Sequence, residues 1–247
     1  MTPATGTTPK GITSEEAASR WVRGMFGKVA GRYDLLNHLL SFNLDRRWRA
    51  RMVERVAEVL ARPDTKVLDL CCGTGDVLLS LAARQGSATI FGSDFCHPML
   101  IEAQRKRNDR KVSASLFESD ALALPLAAGS LDLVTVAFGF RNLTNYRRGL
   151  EELARVLKPG GVVAILEFSQ PTNRVFAKLY GAFSKRVLPW VGGMISGSRD
   201  AYSYLPESIQ KFPGAEDLAE QMHTAGFARV EFERLTYGAV ALHLGEK

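Results

Sequence analysis

The chain has little of what marks a secreted or membrane-spanning protein. It holds three cysteines in 247 residues, Cys71, Cys72 and Cys96, two of them adjacent. That is no disulfide framework, and they read as small buried fillers in a protein of a reducing cytosol. With His97 they also lack the spacing of a zinc site, so no metal is expected. No run approaches the roughly 20 apolar residues of a membrane span. The best candidate, residues 187–198, is too short and contains Pro189, Gly192 and Gly193. The first thirteen residues are rich in Thr, Pro and Gly and have no apolar signal core, so residues 1–13 are expected to form a disordered tail. There is no internal repeat. The net charge of +6 is mild and suits an anionic surface or an ordinary enzyme equally.

What is present is one sizeable domain over residues 14–247, in a chain that is 46% hydrophobic. Helical patterns come first, over 14–62. Ser14 can cap a helix carrying Trp21, Met25 and Val29. A second helix covers Tyr33 to Leu40, and a third follows Asp45 with Arg46, Arg47, Arg49 and Arg51. Strand and helix patterns then alternate. Strands are expected at 66–70, 88–93, 114–119, 131–138 and 162–168, with helices at 77–84, 98–106 and 146–157. Lys158-Pro159-Gly160-Gly161 should stop the last of these helices. This rhythm predicts an α/β fold, a mostly parallel sheet with helices on both faces. Residues 170–212 break it with basic and aromatic residues, and read as a lid insertion. A helix at 215–225 and strands at 228–235 and 238–244 close the domain. Their short turn suggests an antiparallel last strand, which makes seven strands in all.

The most informative stretch is Lys66-Val67-Leu68-Asp69-Leu70-Cys71-Cys72-Gly73-Thr74-Gly75-Asp76, a short strand, a glycine turn and a helix start. Such a turn cradles a nucleotide-like ligand at the carboxyl ends of parallel strands. The third small residue of a dinucleotide fingerprint is missing, since Leu78 stands there, and there is no phosphate-loop lysine. Asp69, Asp76 and Asp94 would repel a phosphate. They suit a cation with ribose hydroxyls, and S-adenosylmethionine (SAM) has those features. Gly73 and Gly75 allow close backbone approach. Asp69 is placed for the ammonium, Asp94 for the ribose hydroxyls, Asp120 for the adenine amino group and the Ala121 amide for a ring nitrogen. The competing explanation is that the glycines simply make a turn.

From about Val22 onward the chain resembles the ubiquinone/menaquinone biosynthesis C-methyltransferase family. The matching residues are Met25-Phe26, Val29-Ala30, Tyr33-Asp34 with Asn37, and Ser41 with Trp48-Arg49. Further matches are the glycine loop, Phe138-Gly139-x-Arg141-Asn142, 155–161, 166–169, Tyr202-x-Tyr204-Leu205, and Gly238 to His243. The resemblance implies a Rossmann-like class I SAM-dependent fold and methylation of a ring carbon on a prenylated quinol. It places cofactor contacts on Thr74, Asp94, Asp120 and Ala121. Some members use serine where this chain has Ala137, so a backbone contact would survive there and a hydroxyl contact would not. Cys71 replaces the first glycine of the general loop.

A quinol carbon attacks a sulfonium methyl well only as the neighbouring hydroxyl loses its proton. Phenolic pKa is about 10, and lowering it by two to three units is worth about 3–4 kcal/mol. Arg141 is the first candidate for a stabilising cation, against the alternative that it pairs with an acid and fixes a loop. Asn142 could orient the oxygen, and Glu167 is a candidate base. Tyr33 and Asn37 could cover the cofactor or touch the ring. Tyr202 and Tyr204 could bind quinol hydroxyls or only pack. His38, His97, His223 and His243 are weaker candidates. The substrate favoured is demethylmenaquinol, with a benzoquinol as the alternative. Expected partners are that quinol, transient contact with the inner face of a membrane, and a second copy of the chain in a homodimer. No nucleic acid is expected, although the basic runs 46–51 and 105–111 keep an RNA methyltransferase as a rival. A non-catalytic SAM-binding protein of a quinone assembly is the other rival. The expected location is cytoplasmic.

Overall fold

The computed structural model describes residues 6–84, 86–172, 181 and 199–247. Its centre is set by strands whose apolar runs are continuous rather than alternating. In β1 (Lys66–Leu70) every residue after Lys66 is buried, the mark of a strand covered on both faces. Around it lie β2 (Thr89–Asp94), β3 (Ser115–Glu118), β4 (Leu131–Ala137) and β5 (Leu157–Phe168), all parallel. Two antiparallel strands, β6 (Arg229–Leu235) and β7 (Val240–Glu246), complete a seven-stranded sheet of order β3-β2-β1-β4-β5-β7-β6.

Helices cover both faces. The N-terminal set is α1 (Glu15–Val29), α2 (Tyr33–Leu40), α3 (Leu44–Arg55) and the short α4 (Ala57–Leu60). Then follow α5 (Asp76–Ala82), α6 (His97–Asp109), α7 (Tyr146–Val156), α8 (Arg199–Lys211) and α9 (Ala215–Thr224). On one face Leu68, Leu70, Val134 and Val136 meet Leu150 and Leu153 of α7 and Leu218 and Met222 of α9. On the other, Val67, Leu133 and Ala164 meet Met52 and Val53 of α3 and Leu78 and Leu81 of α5. Ser14 caps α1 as expected, accepting from the Ala17 amide at 3.2 Å. The basic α3 is tied to the sheet edge, where Arg51 and Arg55 meet Glu233 at 2.7 and 3.1 Å.

Two expectations change. Lys158–Gly161 does not interrupt the chain between helix and strand. Leu157 already pairs with Leu131, and the ladder resumes at Leu133 and Val162, with Gly160 at φ +74° turning the extra residues out. Residues 6–9 depart from the expected disordered tail, because Thr7 is buried and its amide donates to the Leu143 carbonyl at 2.7 Å. Of the expected lid, residues 199–211 form α8, whose Tyr204 and Ile209 are buried. Most of the remaining lid, residues 173–180 and 182–198, lies outside the described residues.

Candidate functional site

At the carboxyl end of β1 the backbone turns left-handed three times in five residues, at Cys71 (φ +55°), Gly73 (φ +54°) and Gly75 (φ +88°). At Gly75 an added Cβ would press on the Ala103 Cβ at 3.2 Å, so the turn packs tightly on α6. Cys71 is strained there, since L residues avoid this region. Its side chain drives into the neighbouring loop after β4, where Phe138 is also left-handed (φ +59°). A Cβ on Gly139 would lie 2.3 Å from the Cys71 Cβ. The two loops interlock, and only glycine fits at 139.

These loops form the floor of a cleft. Gly73, Asp94, Ser119, Asp120, Ala121 and Ala137 line it from the strand ends, and Phe26 and Tyr33 from the N-terminal helices. Asp94 is buried, with its two oxygens accepting from the Gly73 and Cys96 amides, each at 2.9 Å. Burial pushes its carboxyl up to about 6 despite those bonds. Asp120 accepts from the Leu122 amide at 2.9 Å.

A second cleft adjoins the first and shares Tyr33 and Phe138 with it. Its walls are mostly apolar, with Leu40, Leu44, Trp48, Phe168, Leu205 and Ile209. Asn37 and Arg141 are among its polar residues. Arg141 is 4% exposed, donates from one terminal nitrogen to Glu167 at 3.0 Å and to the Phe138 carbonyl, and lies 5.2 Å from the Phe168 ring centre. Burial opposes its charge, but Glu167, Tyr33 and Tyr204 hold the guanidinium above its ordinary range. Its Nε has no hydrogen-bond partner among the described residues. Burial raises Tyr33, against the pull of Arg141 and Asn37.

A profile of the ubiE/COQ5 methyltransferase family matches residues 13–247. The chain belongs to that family. It is 48% identical over 223 residues to the demethylmenaquinone methyltransferase of Thermus thermophilus, covering 90% of this chain and 100% of the relative. It is 43% identical to the enzyme of that name from Deinococcus radiodurans, covering 92% of each. It is 44% identical to the ubiquinone/menaquinone biosynthesis C-methyltransferase of Syntrophotalea carbinolica, covering 90% of this chain and 92% of the relative. In fold it matches a SAM-dependent methyltransferase of Aquifex aeolicus, with TM-score 0.57, 19% identity, and 78% and 88% of the two chains covered.

In this ubiE/COQ5 family member, Gly73, Asp94, Asp120, Ala121 and Ala137 line the first cleft with Asn142, while Asn37 and Arg141 line the second. Other expected residues fall elsewhere. Asp69 does not reach the cleft wall. It is 1% exposed within β1, accepts from the Thr135 hydroxyl at 2.7 Å, and burial pushes it up to about 7. Thr74 is turned away too. Its hydroxyl donates to Asp34 and accepts from Lys106 at 3.2 Å. Gly75 serves the turn rather than the wall. Glu167 is not placed as a base, because its oxygens accept from Arg141 and from the Phe168 amide at 2.8 Å, and it lines neither cleft. The acid expected as an alternative partner for Arg141 is therefore Glu167 itself. Tyr204 is buried off the clefts, donating to Asn142 Oδ1 at 3.0 Å. The Tyr202 side chain lies outside the described residues.

Sequence reasoning missed Phe26, Ser119 and Met99 in the first cleft, and Leu44, Phe168 and Ile209 in the second. Ser119 had a signal, since it ends the predicted third strand beside Asp120. Phe26 and Phe168 lie in family-matching stretches, which do not say which side chains face a cleft, and Met99 and Leu44 are ordinary members of amphipathic patterns.

Proposed function

We propose that this chain is a SAM-dependent C-methyltransferase that methylates the ring of a prenylated quinol, most simply demethylmenaquinol. The observation that carries this reading is the pair of joined clefts, one edged by Asp94 and Asp120 at strand ends, the other apolar, with Tyr33 and Phe138 common to both. The family relatives support the same chemistry. SAM, when bound, supplies an electrophilic methyl on a positively charged sulfur.

The residues of the first cleft fit such a group. Left-handed Gly73 lets backbone approach closely, and buried Asp94 gains from a cationic or hydroxyl-bearing neighbour, which offsets the cost of its burial. Gly73, Asp94, Asp120 and Ala121 would hold it. Around the quinol, Leu40, Trp48 and Phe168 exclude water, so a fixed charge acts at lower dielectric. Arg141 is that charge. Lining the second cleft, it favours the ionised ring hydroxyl that makes the ring carbon nucleophilic. Glu167 keeps Arg141 in place and already accepts from three donors.

A bilayer-embedded substrate also supports transient membrane contact. Leu35, Leu39 and Phe42 are exposed on and beside α2, and Phe42 borders the apolar cleft. Flotation with anionic liposomes at low salt tests that contact, and failure to float would overturn it. No helix among the described residues is long and apolar enough to cross a membrane. The decisive test of the activity is incubation with methyl-labelled SAM and reduced demethylmenaquinone. A parallel reaction with the benzoquinone counterpart tests the alternative substrate.

A further inference from the structure

Gly6 and Thr7, ahead of the family match, pack beside the methyl-transfer site. Gly6 lies so close to the loop after β4 that a Cβ there would be 1.9 Å from the Thr144 carbonyl oxygen. Next to it, the Thr7 amide donates to the Leu143 carbonyl at 2.7 Å. Leu143 and Thr144 line the first cleft together with Asn142. The Thr7 hydroxyl is 2.6 Å from the Tyr204 hydroxyl, and both residues are 5% exposed. Tyr204 has a single hydroxyl hydrogen, which it donates to Asn142 Oδ1 at 3.0 Å. Thr7 must then be the donor to the Tyr204 oxygen.

In this relay Thr7 leaves the Tyr204 hydrogen to Asn142, while the Phe138 carbonyl, which only accepts, takes the amide nitrogen. Oδ1 accepts from Tyr204, and Nδ2 has the Phe138 carbonyl at 3.4 Å, a long bond that uses one of its two hydrogens. The other hydrogen is left for a ligand where the two clefts meet, since Asn142 lines the first, its neighbour Arg141 the second, and Phe138 both. Without the relay the amide can rotate, and an oxygen would then face a group that needs a donor.

We propose that Thr7 is a positioning residue that, through Tyr204, fixes the Asn142 amide, so that the N-terminal segment governs turnover rather than cofactor affinity. This rests on the reading of Asn142 as part of the methyl-transfer site.

The test uses the full chain with Thr7→Val, which keeps the shape and removes the hydroxyl, and Thr7→Ser, which restores it. Losing one bond in a buried chain should lower kcat about three- to tenfold in Thr7→Val. KM for SAM should stay within about twofold, as for a group that acts only in the transition state. Thr7→Ser should recover the wild-type kcat. Unchanged kcat in Thr7→Val, a loss that serine does not repair, or a loss confined to KM for SAM would each overturn the proposal. Tyr204→Phe covers the case in which Thr7→Val folds poorly. It should reproduce the kcat loss, and adding Thr7→Val to it should cost nothing more, whereas additive losses would refute the relay. Wild-type protein that transfers no methyl to the quinol, or Asn142→Ala with full kcat, would instead remove the underlying reading.

Discussion

At the residue scale, Asp94 and Arg141 divide the work between affinity and turnover. Asp94 is a buried carboxyl raised to about 6, so it is neutral below that pH and charged above it. SAM, a cation, should bind more tightly as pH rises through about 6, and calorimetry across pH 5–8 reads this directly. Asp94→Asn should flatten the dependence and weaken binding about ten- to a hundredfold at pH 8. The ligand-free protein has the opposite sign. Asp94 and Asp69 hold protons more tightly folded than unfolded, so their contribution to stability falls as pH rises from the ordinary carboxylate range through about 6 and 7. Arg141→Ala should lose turnover far more than SAM affinity, and equal losses would overturn its role. It should also destabilise the fold by about 3–5 kcal/mol, because Glu167 is left buried without its cation. Thermal melts beside single-turnover kinetics separate the two effects.

At the element scale, charges from four helices lock the N-terminal set onto the glycine loop. Lys106 of α6 joins Asp34 of α2 and Asp76 of α5, each at 2.6 Å. Arg49 of α3 joins Asp76 and Asp45, each at 2.8 Å. His38 closes the chain onto Asp45 at 2.7 Å. Lys106→Met leaves Asp34 and Asp76 without their shared cation. It should loosen α2 over the cleft and raise KM for SAM several-fold, with kcat changing less; an unchanged KM would mean the lock has no part in binding. The strands and most helices were legible because continuous apolar runs and capping residues are local signals. Ser14 at the start of α1 shows this. The ionic lock was not legible, because its members stand at 34, 49, 76 and 106 and only the fold brings them together. The same reason hid Glu167 as the partner of Arg141, although both lie in recognisable motifs. Asp69 and Thr74 misled because a motif gives position along the chain and not the direction of a side chain. The early start of β5 misled for a different reason: Gly160 turns out of the ladder without ending it.

At the scale of the whole molecule, the sheet presents an acid-edged cleft and an apolar cleft side by side, and part of each basic run is answered from within. Arg49 and Arg51 are paired with acids on other elements, and Arg105 sits between Glu102 and Asp109 at 3.1 and 3.4 Å. Such paired charges are poor counterion-releasing contacts, so RNA binding should be weak and should not alter methyl transfer, as a salt titration with labelled RNA would show. Ile209→Asp places a charge in the apolar cleft and should raise KM for a prenylated quinol at least tenfold by roughly 1.4 kcal/mol or more, with SAM binding intact. The most direct measurement of the central claim is a single experiment with purified protein, methyl-labelled SAM and reduced demethylmenaquinone. The joined clefts predict label on a ring carbon of the prenylated product, at a rate that falls with Arg141→Ala. Tight SAM binding with no label in any prenylated quinol would contradict it.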